Sequence, residues 1–394
     1  MSRRCGRLAV FSARSAVIYF DNAATSLLKP PTVGQAVLKA METFGGAARG
    51  GHPAALNASR CLFQARKAVA ELLGSAPERT VFTSNATESL NIAIGGLLQA
   101  EDHVITTALE HNSVLRPLYR LRAKGMGLSI IPADSEGNLD YNRFRQSLRP
   151  NTKAVVCTHA SNVTGTLVDL ECIASFCKEH QLLLLVDASQ TAGVFPLHAD
   201  ELGIDVLCFT GHKALLGPQG TGGLCLRSGL SIPALKVGGS GIHSFSETHP
   251  SELPEALEAG TPNAHGIAGL LAGVEFIKKT GQETIRQREL ALCRQFVEGV
   301  QAIAGVHVYG DQKRPYAPIV LLNVDGWDSG EVGDLLAHQY GICVRAGAHC
   351  APLIHMALGT QERGAVRFSF SFLNTEAEIQ AGIAALVEIA GGKR

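Results

Sequence analysis

Two short stretches carry the first chemistry in this chain. The apolar run 182–186 closes on Val186-Asp187-Ala188-Ser189-Gln190, and a second run, 206–209, closes on Thr210-Gly211-His212-Lys213. Each puts a charged residue where the chain leaves a buried strand, the place where open α/β sheets bind ligands. A carboxylate facing a ring nitrogen keeps it protonated, and a partly desolvated lysine of lowered pKa condenses with an aldehyde and later moves a proton. Those are the two needs of an enzyme that uses pyridoxal 5'-phosphate (PLP). Taken singly, Asp187 reads as a turn cap and Lys213 as an exposed loop cation. Their joint appearance, with Gln190 just past the aspartate and His212 beside the lysine, favours the functional reading.

A cofactor phosphate needs a cradle, and Ser84-Asn85-Ala86-Thr87-Glu88-Ser89 supplies one at a strand-to-helix junction. Free backbone N–H groups and the helix dipole favour an anion there, and the Thr87 hydroxyl adds a donor. Alone, the segment is an ordinary cap, since Ser and Asn are common N-cap residues.

The elements that must hold these residues can be read from the apolar pattern. From Thr80 onward, short apolar segments alternate with longer helical patterns, as in successive βα units. Strands are expected at 80–83, 103–107, 128–131, 154–158, 182–186, 206–209 and 223–226, with helices over 86–98 and 113–123. The run 182–186 is apolar at every residue, so both its faces must be covered, as in a parallel sheet between helices. A glycine-rich turn alone joins the last two strands, which argues for at least one antiparallel pair. After Gly260-Thr261-Pro262-Asn263 the texture changes to helices over 265–279, 282–303 and 375–390, and strands near 306–309, 318–323, 341–345 and 365–370. The expected fold is α/β: a mixed, mainly parallel sheet in a large domain over 31–263, and a smaller α+β domain from 18–30 and 264–394. An N-terminal extension over 1–17 precedes them. Its first 16 residues hold Arg3, Arg4, Arg7 and Arg14 without an apolar core or cleavage site, so it is set aside from the fold.

Composition narrows the partners. A chain of 394 residues is long enough for two cores. With 46% hydrophobic and 18% charged residues it reads as compact rather than disordered. The net charge of zero offers no basic field for nucleic acid or an anionic membrane, and suits a small neutral or zwitterionic substrate. No apolar run approaches the roughly 20 residues of a membrane span. The ten cysteines lack a CxxC pair or zinc spacing, so no metal site is expected, and reduced thiols in the cytoplasm are.

Several ordered blocks then point to a family. They are Tyr19-Phe20-Asp21-Asn22-Ala23-Ala24-Thr25, Glu110-His111-Asn112, Ser161-Asn162-Val163-Thr164-Gly165, the two opening stretches, Glu258-Ala259-Gly260-Thr261-Pro262-Asn263, and Arg345-Ala346-Gly347-Ala348-His349-Cys350-Ala351. With them the chain resembles the class V, fold-type I PLP-dependent enzymes, and within these the cysteine desulfurase and selenocysteine lyase group, from Tyr19 to Ile389. The resemblance implies that His111 stacks on the pyridine ring, that Asn162 and Gln190 lie near its phenolic oxygen, and that Asp187 meets its nitrogen. It implies that Ala86, Thr87, Thr210 and His212 hold the phosphate, with Lys213 as the covalent anchor. Thr261 would reach the phosphate from a second subunit, which implies a homodimer with shared active sites; Arg49 and His52 would line the partner's site. Arg367, with Arg345 and Asn22, would receive the substrate carboxylate, for which a planar guanidinium offers two parallel donors.

Cys350 selects the reaction. Sulfur abstraction requires a nucleophile, and Arg345 and His349 stand close in sequence as cations that favour a thiolate. The loop resembles the Arg-x-Gly-x-His-Cys-Ala form of the second desulfurase group, with Ala348 where many members have a second His. The implied activity is removal of sulfur from L-cysteine, giving L-alanine and a Cys350 persulfide for an acceptor protein or small thiol. The same apparatus would serve a selenocysteine lyase acting on L-selenocysteine, or another class V aminotransferase or β-lyase in which Cys350 is incidental. A scaffold without turnover is disfavoured by an intact Lys213.

Overall fold

The structure is a computed structural model, and it describes residues 17–47 and 50–392. The expected extension thus falls, but for Val17, outside the described residues, as does Arg49. In chain order the elements begin with β1 (Ile18–Tyr19), α1 (Pro31–Thr43), α2 (Pro53–Leu73), β2 (Thr80–Thr83), α3 (Ala86–Leu97), β3 (His103–Thr107), α4 (Asn112–Arg122) and β4 (Gly127–Ile131). They continue through α5 (Asn142–Gln146), β5 (Thr152–Thr158), α6 (Leu170–Glu179), β6 (Leu183–Asp187), α7 (Ala199–Leu202), β7 (Val206–Thr210) and β8 (Gly222–Leu226). Then follow α8 (Ala264–Thr280), α9 (Gln282–Gln301), β9 (Val306–Tyr309), β10 (Ile319–Val324) and α10 (Ser329–Tyr340). The last are β11 (Ile342–Cys343), β12 (Arg345–Gly347), α11 (Pro352–Ala357), β13 (Ala365–Ser369) and α12 (Glu376–Gly391).

The expected βα series forms a seven-stranded sheet of order β2-β8-β7-β6-β5-β3-β4. Strands β3 to β7 run parallel, and β8 is reversed against both β7 and β2. The continuous apolarity of the central strands has the cause expected of it. Along β5 and β6 alternate residues enter two different cores: Val155, Cys157, Leu184 and Val186 on one face, Ala154, Val156 and Leu185 on the other. Each face is covered by its own layer, so neither can carry polar side chains.

The second region builds a four-stranded antiparallel sheet of order β12-β13-β10-β9. One face, with Val320, Leu322, Val366 and Phe368, packs against α9 and α12 in a third core. The opposite face, through Ile319, Leu321 and Ala365, joins the core of the large sheet. The expected single strand at 341–345 is two strands. Ile342–Cys343 pairs with β1 and Arg345–Gly347 with β13, the break falling at Val344. Helix α8 packs on α1 and α2, and its Ile267, Leu270, Val274 and Ile277 enter the core beneath the large sheet.

Gly223 lies on β8 opposite Phe82 of β2 and Phe209 of β7. A Cβ at this position would collide with the Val81 carbonyl and the Phe209 ring. Gly223→Ala should therefore destabilise the fold by about 1–3 kcal/mol, as overpacking in a closed core does, measured as a shift of the urea unfolding midpoint.

Candidate active site

Parallel register sets the floor of the site. Asp187 ends β6, paired with Thr158 of β5 and Cys208 of β7, so it stands mid-sheet at the carboxyl edge and is 5% exposed. Its Oδ1 accepts from the Ser189 amide at 2.9 Å and the Ser189 hydroxyl at 2.5 Å, which fixes the carboxylate's direction. Lys213 follows β7 after a tight turn in which the Gly211 amide donates to Thr221 O at 2.8 Å. A Cβ at Gly211 would strike the Thr221 hydroxyl, so any larger residue there must displace that side chain.

A cleft of about 190 Å³ opens above this edge. It gathers Ala86, Thr87, His111, Asn162, Asp187, Gln190, Thr210, His212, Lys213, Arg345 and Arg367, eleven of the residues singled out from sequence. His111 caps α4: its Nδ1 accepts from the Ser113 amide at 3.0 Å, so the proton of the neutral ring sits on Nε2. Ser113 in turn hydrogen-bonds the Thr87 hydroxyl at 2.8 Å, coupling the histidine to the first turn of α3. Asn85 caps that helix by accepting from the Glu88 amide at 3.0 Å, leaving the Ala86 and Thr87 amides ahead of the helical ladder. Two buried oxygens on the wall, Asn162 Oδ1 and Thr210 Oγ1, have no protein partner.

The charges of the cleft act on one another. Burial pulls Lys213 down to about 8, and the Arg367 and Arg345 guanidiniums push the same way, against the attraction of Asp187 and Asp21. Burial and the neighbouring Lys213 hold His111 near 4 and His212 near 4, so both rings are neutral at physiological pH. Behind Asp187, Glu110 is wholly buried, and burial raises it to about 8 despite bonds from the Thr107 hydroxyl and the Thr158 amide.

Arg345 and Arg367 are cross-strand partners on β12 and β13, so their side chains share the sheet face turned to the cleft. Arg367 donates to Asp21 Oδ1 at 2.7 Å and to Asn162 O at 2.9 Å, while its Nε–H has no partner.

Cys350 is exposed and stands on the loop that rims this cleft. His349 and Cys350 form the centre of a tight turn, closed by the Ala351 amide on Ala348 O at 3.1 Å, with φ of 53° and 57°. Two successive non-glycine residues in the left-handed region cost about 1–2 kcal/mol each. The turn is strapped to the large sheet's side: Asn162 Nδ2 donates to His349 O at 2.8 Å, and the Asn112 amide to Cys350 O at 2.7 Å. One expectation changes here. His349 is 4% exposed and burial holds it near 3, so it brings no positive charge to the thiol at neutral pH. Arg345 is the cation of the pair.

Three expected residues are not gathered into the cleft. The Asn22 amide is spent on Ser369 O at 3.0 Å and on Tyr19 O and Asn374 Oδ1 at 3.3 Å, and its side chain lines a separate small cavity that also touches Lys213 and Gln190. Thr261 is exposed in a different cleft, on a segment that the Arg66–Glu258 ion pair ties to β2. His52 is exposed and caps α2. Sequence reasoning gave no role to Ser113, Ser189 or Asp21, each of which holds one of the named residues in position. The first two lie two residues past His111 and Asp187, a spacing that does carry a signal for hydroxyl caps.

Because Glu110 binds its proton more tightly folded than unfolded, its contribution to stability is complete below its ordinary value of 4.5 and is lost as pH rises through about 8. Glu110→Gln should lose less stability than the wild type between pH 5 and 8.5, by an amount on the order of a few kcal/mol, in urea unfolding at both pH values.

Comparison with known proteins places the chain in a family. Residues 18–381 match the family model described as Aminotransferase class-V. A probable cysteine desulfurase of Methanothermobacter thermautotrophicus is 33% identical over 381 residues, 95% of each chain. The cysteine desulfurase IscS of Vibrio campbellii is 31% identical over 385 residues, covering 93% of this chain and 91% of that one. Among solved structures, the apo cysteine desulfurase of Thermococcus onnurineus superposes with a TM-score of 0.87 at 33% identity, over 96% of this chain and 95% of that one. The cysteine desulfurase CsdA of Escherichia coli gives 0.84 at 29% identity over 94% of both. The chain therefore belongs to the class-V aminotransferase family of enzymes, in its cysteine desulfurase branch.

Proposed function

We propose that this enzyme removes the sulfur of L-cysteine, releasing L-alanine and leaving a persulfide on Cys350. The observation that carries the reading is the Cys350 turn: an exposed thiol on a strained backbone that is hydrogen-bonded to Asn112 and Asn162 at the rim of the Lys213 cleft. The Cys350 thiolate attacks the substrate sulfur, an S–S bond forms, the Cβ–S bond breaks, and the electron pair left on carbon takes a proton to give alanine. Exposure of Cys350 suits delivery of the sulfur to an acceptor protein or a small thiol.

The cleft suits PLP. Asn162 Oδ1 is a buried acceptor and Thr210 Oγ1 a buried hydroxyl, both in want of a partner; the hydroxyl can donate to a phosphate, as can the Ala86 and Thr87 amides and the Thr87 hydroxyl at a helix N-terminus. In this reading Thr87, Thr210 and His212 hold the phosphate, Asn162 and Gln190 the phenolic oxygen, Asp187 the ring nitrogen, and Lys213 the covalent link. Bound there, PLP supplies an electron sink that loosens the Cα–H bond of an amino acid. Lys213, titrating near 8, accepts that proton at its Nζ. His111, neutral with its proton on Nε2, would stack on the pyridine ring of the bound cofactor. The unpartnered Nε–H of Arg367 and the guanidinium of Arg345 receive the substrate carboxylate.

Thr261 lies apart from the cleft, which supports its assignment to the site of a second copy in a homodimer with shared active sites. The described cysteines are free thiols, which supports the cytoplasm as the enzyme's compartment.

Incubation with L-cysteine should add one sulfur to the peptide carrying Cys350, measured by mass. Cys350→Ser should cut alanine formation from cysteine by about 100-fold or more while leaving the absorbance of bound PLP in place. Undiminished alanine production in that variant would overturn the assignment.

A further inference from the structure

Behind the Cys350 turn lies a closed chain of side chains that the reaction does not use directly. His349 Nε2 is 3.0 Å from the Arg345 carbonyl oxygen, His349 Nδ1 is 3.1 Å from His355 Nε2, and His355 Nδ1 is 2.8 Å from the Thr360 hydroxyl. The two imidazoles lie nearly parallel, their centroids 5.3 Å apart. All three side chains are buried, with His355 and Thr360 each 1% exposed.

The directions in this chain follow from its first member. A carbonyl can only accept, so His349 carries its proton on Nε2, and in the neutral ring Nδ1 must then accept. His355 therefore donates from Nε2, its own Nδ1 becomes the acceptor, and Thr360 donates to it. Both rings are neutral on independent grounds, since burial lowers the pKa of each. Every polar atom of the three side chains thus has an assigned partner, and reversing either of the last two bonds leaves a buried ring nitrogen that can only accept facing another acceptor.

This chain matters because of what it holds. Of the two left-handed residues in the Cys350 turn, His349 is the first, and its ring is buried where the Cys350 side chain is exposed. The carbonyls of both residues are fixed by Asn162 and Asn112 from the large sheet's side, and the His349 ring is fixed by His355 from α11. We propose that His355, backed by Thr360, is a positioning residue for Cys350: by donating to His349 it holds the strained turn and so aims the thiol for sulfur transfer. The inference rests on Cys350 as the sulfur acceptor of the reaction, but its central claim concerns the state of the thiol and can be read without turnover.

Four variants in the full-length, PLP-loaded enzyme separate this role from simple core filling. His355→Phe keeps a ring and removes the donor. His355→Gln restores both functions, since its amide can donate to His349 and its carbonyl can accept from Thr360. Thr360→Val removes the last hydroxyl without changing shape much, and Thr360→Ser returns it. The first readout is the rate at which iodoacetamide alkylates Cys350, relative to Cys172, which is also exposed but lies on α6. With the turn released, this ratio should rise about threefold in the Phe and Val variants and return toward wild type in Gln and Ser. The second is steady-state alanine formation, in which kcat should fall about tenfold in His355→Phe while KM for cysteine stays within about twofold. An unchanged alkylation ratio in both Phe and Val variants, or a Gln variant no better than Phe, would overturn the proposal. If His355→Phe does not fold, the Val and Ser pair decides alone. Retained turnover in Cys350→Ser would instead sink the desulfurase reading and leave the alkylation result standing.

Discussion

A single buried guanidinium joins the parts of this enzyme that make the site. Arg367 rises from β13 of the four-stranded sheet, binds Asp21 near the start of the described chain, and binds the carbonyl of Asn162 beyond β5 of the large sheet. It is 1% exposed, so its charge has almost no access to water. Removing its partners would strand that charge, at a cost of about 3–5 kcal/mol, which makes the relative setting of the two sheets at the cleft a matter of electrostatic necessity. Asn162, whose carbonyl is held in this way, also reaches the backbone of the Cys350 turn through its amide. The sides proposed to bind the carboxylate and to accept the sulfur are therefore tied together through Asn162.

The rest of the cleft is tuned by exclusion of water together with like charge. Lys213 and His111 feel two guanidiniums and His212 feels Lys213 and Lys29, and burial with these charges pushes all three towards their neutral forms. Asp187 opposes this for Lys213 and His111 but does not reverse it. The outcome is a site whose permanent positive charge resides on arginines, which suits the two anions an amino-acid enzyme of this class handles, a phosphate and a carboxylate. The amine is left free to move a proton.

Much of the fold was legible because burial on two faces leaves a simple mark. The run 182–186 at the middle of the sheet is apolar at every position, and β8 declared its reversal through the shortness of its link to β7. Helices α1 and α2 left a weaker mark and were not read. The buried face of α2 is largely alanine, with Ala55, Ala58, Ala65, Ala68 and Ala70, so the helix is amphipathic by shape more than by hydrophobicity. The strand at 341–345 was read as one element because local pattern cannot show that two halves of one extended run pair in different sheets. Helix α8 shows the same limit. It follows the change of texture at 260–263 yet packs on α1 and α2, because its apolar face is complementary to theirs.

By itself the sequence determined which chemistry was available: an acid and an amine at strand ends, a helix N-terminus for an anion, and one cysteine in a loop with an arginine. Those are local facts, written in residue type and in the length of each apolar run. The tertiary structure decided which of these groups meet and in what protonation state. It brought Arg345 and Arg367 onto one face by antiparallel register, left Thr261 outside the cleft, and spent the Asn22 amide on backbone carbonyls. It also made His349 a neutral strut instead of a cation, because burial and a carbonyl partner far outweigh its nearness in sequence to Cys350. A side chain's charge and direction depend on the solvent and dipoles around it, and those are assembled only when distant segments pack.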